Sequence, residues 1–254
     1  MKKVIVVLGI LLLASTAASA VMVQERMGAT VGPNPAAGAV LWSQLDEPTG
    51  AAFTDQAFEA PYAAYDADGG EDFVVTAGTN WDLEAIFTPG SLTVAGSNPF
   101  FVNILFYGDA GGLPGAVLCD FTANTDVTSA GDGDLTMDVT GCNLAEGNVW
   151  FSQSVRMDFN PLGQHYWATR GTAAGNYPGV WKNPGNGFGN GCLDWQPGNA
   201  VCGMTGEDWM FELTGTENTG GGGEGVPAIG PFGALLMIVS LGAGSAYVLR
   251  RRRA

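Results

Sequence analysis

The chain has 254 residues, with 25 acidic against 10 basic side chains and a formal charge of −15. Six basic residues sit in the two ends (Lys2, Lys3, Arg250, Arg251, Arg252 and Arg253), so the part between carries 4 basic side chains against all 25 acidic ones, about −21. Such a charge repels nucleic acid, which sets a nucleic-acid-binding role aside, and makes multivalent cations the natural counterions.

The first twenty residues have the layout of a secretory signal peptide. Lys2 and Lys3 give a basic start, Val4 to Leu13 is an apolar run too short to span a membrane, and the small-residue exit ends Ala18-Ser19-Ala20, with cleavage expected after Ala20. Residues 21–37 contain Gly32-Pro33-Asn34-Pro35 and no clear period, so they read as a flexible lead-in.

Residues 38–215 are long enough for one domain with its own core. Their pattern is short alternating runs separated by Gly, Asn, Asp and Pro. Trp81, Leu83 and Ala85 face one way and Asp82 and Glu84 the other. Leu135, Met137 and Val139 alternate with Thr136 and Asp138. Trp209, Phe211 and Leu213 alternate with Asp208, Met210 and Glu212. Period two with one polar face marks half-buried antiparallel strands. Phe100 to Tyr107 is apolar on both faces and reads as a central strand. The expected fold is an all-β antiparallel sandwich of jelly-roll type.

Asp66-Ala67-Asp68-Gly69-Gly70-Glu71-Asp72 is the densest acidic cluster. Alternate aspartates followed by glycine can wrap a hard cation, so Asp66, Asp68, Glu71 and Asp72 are candidate calcium ligands. A solvated acidic turn ahead of a strand is the plainer reading. Asp132 and Asp134 are a weaker candidate of the same kind. Four cysteines suit an oxidising compartment and allow three pairings. Sequence-near partners across turn-rich segments favour Cys119–Cys142 and Cys192–Cys202. The Cys-x-x-Cys spacing of a zinc site is absent.

His165 is the sole histidine, in the strand-like run His165-Tyr166-Trp167. One histidine cannot supply the usual zinc set, and a nucleophilic triad would need Ser152 or Ser154 beside it. A structural role is expected, and with paired cysteines and no other constellation, no catalysis. Between Tyr177 and Trp195, four rings (Tyr177, Trp181, Phe188 and Trp195) stand among Gly and Asn. Flat rings flanked by amides and carboxylates suit a sugar-binding platform, and the same rings could instead cap the open end of a sandwich. Trp150 and Trp209, on strands, are expected in the core.

Several stretches together resemble a recurrent bacterial surface domain of jelly-roll type. They are Glu71-Asp72-Phe73 followed by Trp81, Phe106-Tyr107-Gly108-Asp109 leading into Gly112-Leu113-Pro114-Gly115, Leu144 to Trp150, and the closing Trp209 to Gly215. The resemblance implies a secreted binding or structural module without catalytic residues.

Residues 216–225 are a Gly-rich linker. Residues 226–254 begin Val226-Pro227-Ala228-Ile229, continue as an apolar stretch, and end in Arg250 to Arg253. Residues 232–249 would reach about 27 Å as a helix, enough to cross a hydrocarbon core of about 30 Å, with the arginines on the cytoplasmic side. This tail resembles the C-terminal sorting signals of the IPTL-CTERM and PEP-CTERM type. That resemblance implies an exosortase-type membrane protease as partner, cleavage after delivery, and a final place in the envelope or the extracellular matrix. A permanent single-pass anchor is the alternative. Possible ligands of the domain are a polysaccharide, with or without calcium. A secreted hydrolase is a third reading, for which any two carboxylates would serve.

Overall fold

Stretches that alternate in the sequence become strands because each must bury one face. The computed structural model describes residues 23–25, 38–129 and 131–219. In chain order the strands are β1 (Val23–Glu25), β2 (Ala39–Ser43), β3 (Pro48–Thr54), β4 (Gln56–Ala57), β5 (Asp68–Thr88), β6 (Gly90–Leu92), β7 (Phe101–Asp109) and β8 (Pro114–Asn124). They continue as β9 (Val127–Ser129), β10 (Leu135–Asp138), β11 (Asn143–Arg156), β12 (His165–Arg170), β13 (Val180–Lys182), β14 (Gln196–Pro197), β15 (Asp208–Trp209) and β16 (Glu212–Thr219).

Two sheets result. The smaller has the order β1-β3-β12-β15, with β6 also on β12. The larger runs β14-β13-β5-β11-β7-β8, with β16, β2, β10 and β9 attached around the far half of β5. Pairing is antiparallel except where β4 meets β11. β5, at 21 residues, is the spine of the large sheet: its first half lies between β13 and β11, its second half against β16 and β10.

The sheets share a core of rings. Phe53 and Trp167 of the small sheet meet Trp181 and Phe151 of the large one at 5.1 and 5.3 Å between centroids. Trp209 stacks on Trp167 at 4.7 Å. All five are fully buried, and such rings supply the largest apolar areas available to a core. Leu135, Met137 and Val139 are buried together, as the alternation requires. Trp209, Phe211 and Leu213 also enter the core, but Asp208 just before them and Met210 among them are buried too. There the chain leaves the small sheet at β15 and enters the large one at β16, so neither of its faces meets water.

Four expectations need correction. Ala85 does not face inward with Trp81 and Leu83. The pairing with β16 slips one residue between Leu83 and Ala85, so Glu84 is a bulge and Ile86 takes the next inward place. The lead-in contains a strand, β1, paired with β3. The linker begins later, because residues 216–219 extend β16 along β5 as far as Thr219 opposite Thr79. β7 does have a neighbour on each side, β11 and β8. However, only Val102, Ile104 and Phe106 face the core, and Phe101, Asn103 and Leu105 stay half exposed on the outer face.

Both expected disulfides are present, Cys119–Cys142 and Cys192–Cys202, with Cα–Cα distances of 5.8 and 5.9 Å. The first ties β8 to the turn before β11. The second closes the loop between β13 and β15 that carries Trp195. Two such bonds fit an oxidising compartment outside the cytoplasm. Among the described residues no helix is long and apolar enough to cross a membrane. The signal peptide with its site at Ala20, the motif Val226 to Ile229, the apolar stretch 232–249 and the terminal arginines lie outside the described residues.

Candidate binding site

The outer face of the large sheet, turned away from the core, carries a second cluster of rings. Its centre is Tyr107, Trp150 and Val180, with Leu105, Leu113, Tyr177 and Trp195 packed around it. The strand period explains the division. On β13, Val180 and Lys182 point outward while Trp181 between them points into the core.

Gly69 and Gly70 make both faces possible. They do not form a turn but lie within β5, opposite Trp181 and Val180. A Cβ on Gly69 would come within 2.9 Å of the Trp209 ring inside, and one on Gly70 within 3.3 Å of the Trp195 ring outside. Bare backbone at these two positions lets indole rings approach the same strand from opposite sides.

Trp195 is half exposed on this face. The Lys182 Nζ lies 4.2 Å from its ring centroid and 3.1 Å from Asp68 Oδ2. Across β5, Ser152 of β11 is aligned with Gly70, and its hydroxyl is 3.1 Å from the Tyr107 hydroxyl. Burial pushes the Tyr107 phenol pKa up, the Ser152 bond opposes this, and the charges of Asp68 and Asp120 add to the rise. A ring, an ammonium, two carboxylates and two hydroxyls thus share one face of the sheet.

The rest of the cluster is held in place by acids. Trp150 is buried as expected, but under the outer cluster rather than in the main core. Its Nε1 donates to Asp109 Oδ1 at 2.9 Å, and the Tyr177 ring lies 6.1 Å from it, nearly parallel. The loop carrying Tyr177 is clamped through its backbone. Ala174 and Gly179 N–H groups donate to Asp208 at 2.6 and 3.2 Å, and those of Asn176 and Tyr177 to Asp72 at 2.9 and 3.3 Å. Behind them Glu71 accepts from Trp209 N at 2.6 Å and from Asp72 N at 3.1 Å. Burial raises all three carboxyl pKa values. Glu71 is driven well up, with the Asp208 and Asp72 charges adding to it. Asp208 is pushed up to about 6, against the N–H bonds from Ala174 and Gly179.

The four acids read as calcium ligands are therefore not brought together. Glu71 faces the core side of β5 and is fully buried, while Asp72 faces outward and binds the loop. Asp66 accepts from Phe58 N at 2.7 Å, and Asp68 is paired with Lys182. Oxygens parted between two faces and already engaged do not fit a calcium shell. Among the described residues no group of three or more His, Cys, Asp or Glu side chains is placed to hold a metal. Asp132 and Asp134 shape a turn: Asp132 accepts from Asp134 N at 3.0 Å, and Asp134 from Gly90 N at 2.9 Å.

The four rings read as one platform are also separated. Trp181 is fully buried and donates to the Thr54 carbonyl at 2.7 Å. Phe188 packs beside it and against Tyr65, on the main-core side. Tyr177 and Trp195 alone share the outer face. No sequence pattern marks Lys182 as a binding group, although it is one of only four basic residues away from the ends; Ser152 enters the sequence reading only as a possible partner of His165, and Tyr107 only as part of a strand and its motif.

His165 lies elsewhere, between β12 and the Asp132–Asp134 turn. Its Nδ1 is 2.6 Å from Asp55 Oδ1 and its Nε2 2.9 Å from the Gly133 carbonyl. Two acceptors demand two donors, so the ring is an imidazolium. Burial pulls its pKa down, but the Asp55 charge and hydrogen bond outweigh this and leave it raised. Ser152 and Ser154 are engaged elsewhere, with Tyr107 and the Ala67 carbonyl.

A shallow groove of 760 Å³ beside β5, β9 and β10 is lined by Glu84, Asp126, Asp138 and threonines, without a ring or a basic side chain. It offers no comparable mixture of groups.

No family model and no curated protein matches the chain. Among solved structures, it is similar to one described as the cysteine protease and lectin-like domains of Cwp84, a surface layer associated protein of Clostridium difficile. The match has 11% identity and a TM-score of 0.41, and covers 59% of this chain and 32% of that one. The chain thus spans about a third of the length of that structure.

Proposed function

We propose that this is an exported, envelope-associated β-sandwich of jelly-roll type that binds a glycan, without catalysis, on the outer face of its large sheet. The half-exposed Trp195 ring carries the reading. It lies on the outer face of the sheet with Lys182 and Asp68 beside it, above the buried hydroxyls of Tyr107 and Ser152. Sugars present an apolar C–H face and a rim of hydroxyls, and a ring bordered by donors and acceptors complements both. Because the four acids of the Asp66–Asp72 segment have other partners, binding is expected to be independent of calcium.

A glycan array with the purified protein tests this. Trp195→Ala is expected to weaken the best ligand about tenfold or more, with an unchanged circular dichroism spectrum, and chelator should leave the wild type unaffected. If no glycan binds, or Trp195→Ala binds as the wild type does, the reading falls.

We propose further that residues 226–254 deliver the protein to a membrane sorting protease of exosortase type. The tripartite layout of that tail supports this. Deleting it should release the protein into the medium or misplace it, and normal localisation of the truncated chain would refute the proposal.

A further inference from the structure

Lys182 and its surroundings say more about the ligand. Its ammonium is held by two groups at once, the face of an indole ring at 4.2 Å and a carboxylate oxygen at 3.1 Å. These are the two side-chain types that best recognise an organic ammonium: a ring through its quadrupole and a carboxylate through a charge-assisted hydrogen bond. Resting on the glycan reading above, we propose that the patch recognises an amino sugar bearing a free ammonium, as in a de-N-acetylated hexosamine chain, and that Lys182 is an internal stand-in which the ligand displaces.

The charge around the patch agrees. Two carboxylates, Asp68 and Asp120, are near enough to the Tyr107 hydroxyl to act on it, so vacating the lysine leaves a net negative, ring-bearing surface. The other described arginines are also paired, Arg156 with Asp158 and Arg170 with Asp46 and Glu47. No described arginine or lysine is thus left to receive an acidic sugar. The whole chain carries −15, a field that draws polycations and repels uronic or sulfated chains. Displacement is feasible because Lys182 is half exposed and its ammonium ends a flexible four-carbon stem.

The test is calorimetric titration of the full-length protein with a glucosamine hexamer and with its fully N-acetylated counterpart, at mildly acidic pH. The glucosamine oligomer is expected to bind about tenfold more tightly, and to weaken as salt is added. Lys182→Met removes the competing ammonium and should tighten the glucosamine oligomer severalfold. Asp68→Asn should abolish the preference between the two. Equal or tighter binding of the acetylated oligomer overturns the inference and leaves the glycan reading standing. So does weaker binding of the glucosamine oligomer by Lys182→Met. Binding of neither oligomer, with another glycan positive on the array, overturns the inference alone, and silence across the array overturns both.

Discussion

His165→Phe is expected to destabilise the protein by about 3–5 kcal/mol, read as a lower urea midpoint with an unchanged slope. The variant keeps a planar aromatic ring, somewhat larger than the imidazole, and removes two donors. Asp55 Oδ1 and the Gly133 carbonyl would then be left buried without them. The Asp55 charge would keep only Gln153 Nε2, 2.6 Å from its other oxygen, and Gln153 is itself tied to Thr88. An uncompensated buried charge is far more costly than the intact pair is stabilising. The pair joins the start of β12 to the segment after β3, and through Gly133 to the turn between β9 and β10. The loss should therefore be global rather than local. A change below about 1 kcal/mol would mean that the pair does not hold these elements.

The second large effect is with pH, and it runs opposite to ordinary acid denaturation. Asp208 titrates near 6 in the folded state against 3.8 when unperturbed. Between those values the folded protein binds more protons than the unfolded chain, so stability falls as pH rises through this window and is lowest above it. The full difference for Asp208 is about 3 kcal/mol, of which about 1.4 kcal/mol is regained on going from pH 7 to pH 5. Glu71, raised further by burial and by Asp208 beside it, acts in the same direction. So does His165, whose raised value makes its contribution complete below its unfolded pKa of about 6.5 and lost only as pH climbs past the folded one. The melting temperature should thus rise on mild acidification from pH 7 to 5, and Asp208→Asn should flatten that rise. A melting temperature that falls over this range would refute the assignment.

Much of the fold was legible. Leu135-Met137-Val139 showed its strand and its buried face, because a strand with one wet side writes its geometry as alternation. The cysteines announced their partners because each bond closes a short turn-rich stretch. Legibility failed where the chain breaks its own period. The bulge at Glu84 turned Ala85 outward, and the crossing at Met210 buried both parities. Gly69-Gly70 reads locally as a turn, yet the pair is needed because indole rings remote in sequence press on it from both sides. The site failed for the same reason. Trp181 and Lys182 are adjacent, and which of them meets water depends on register with Gly69 and Asp68, more than a hundred residues earlier. Asp55 and Asp208 look like ordinary surface acids until their distant partners are in place.

The last strand has a mechanical consequence. β16 is hydrogen-bonded on both edges, to β2 and along β5 to its end at Thr219 opposite Thr79. A pull on the chain beyond Thr219 acts along the strand, at right angles to its ladder bonds. Those bonds are loaded together in shear rather than opened singly, as they would be in a peeled hairpin. A domain held from its C-terminal side while its outer face grips a polymer would carry that tension on the ladder between β16 and β5.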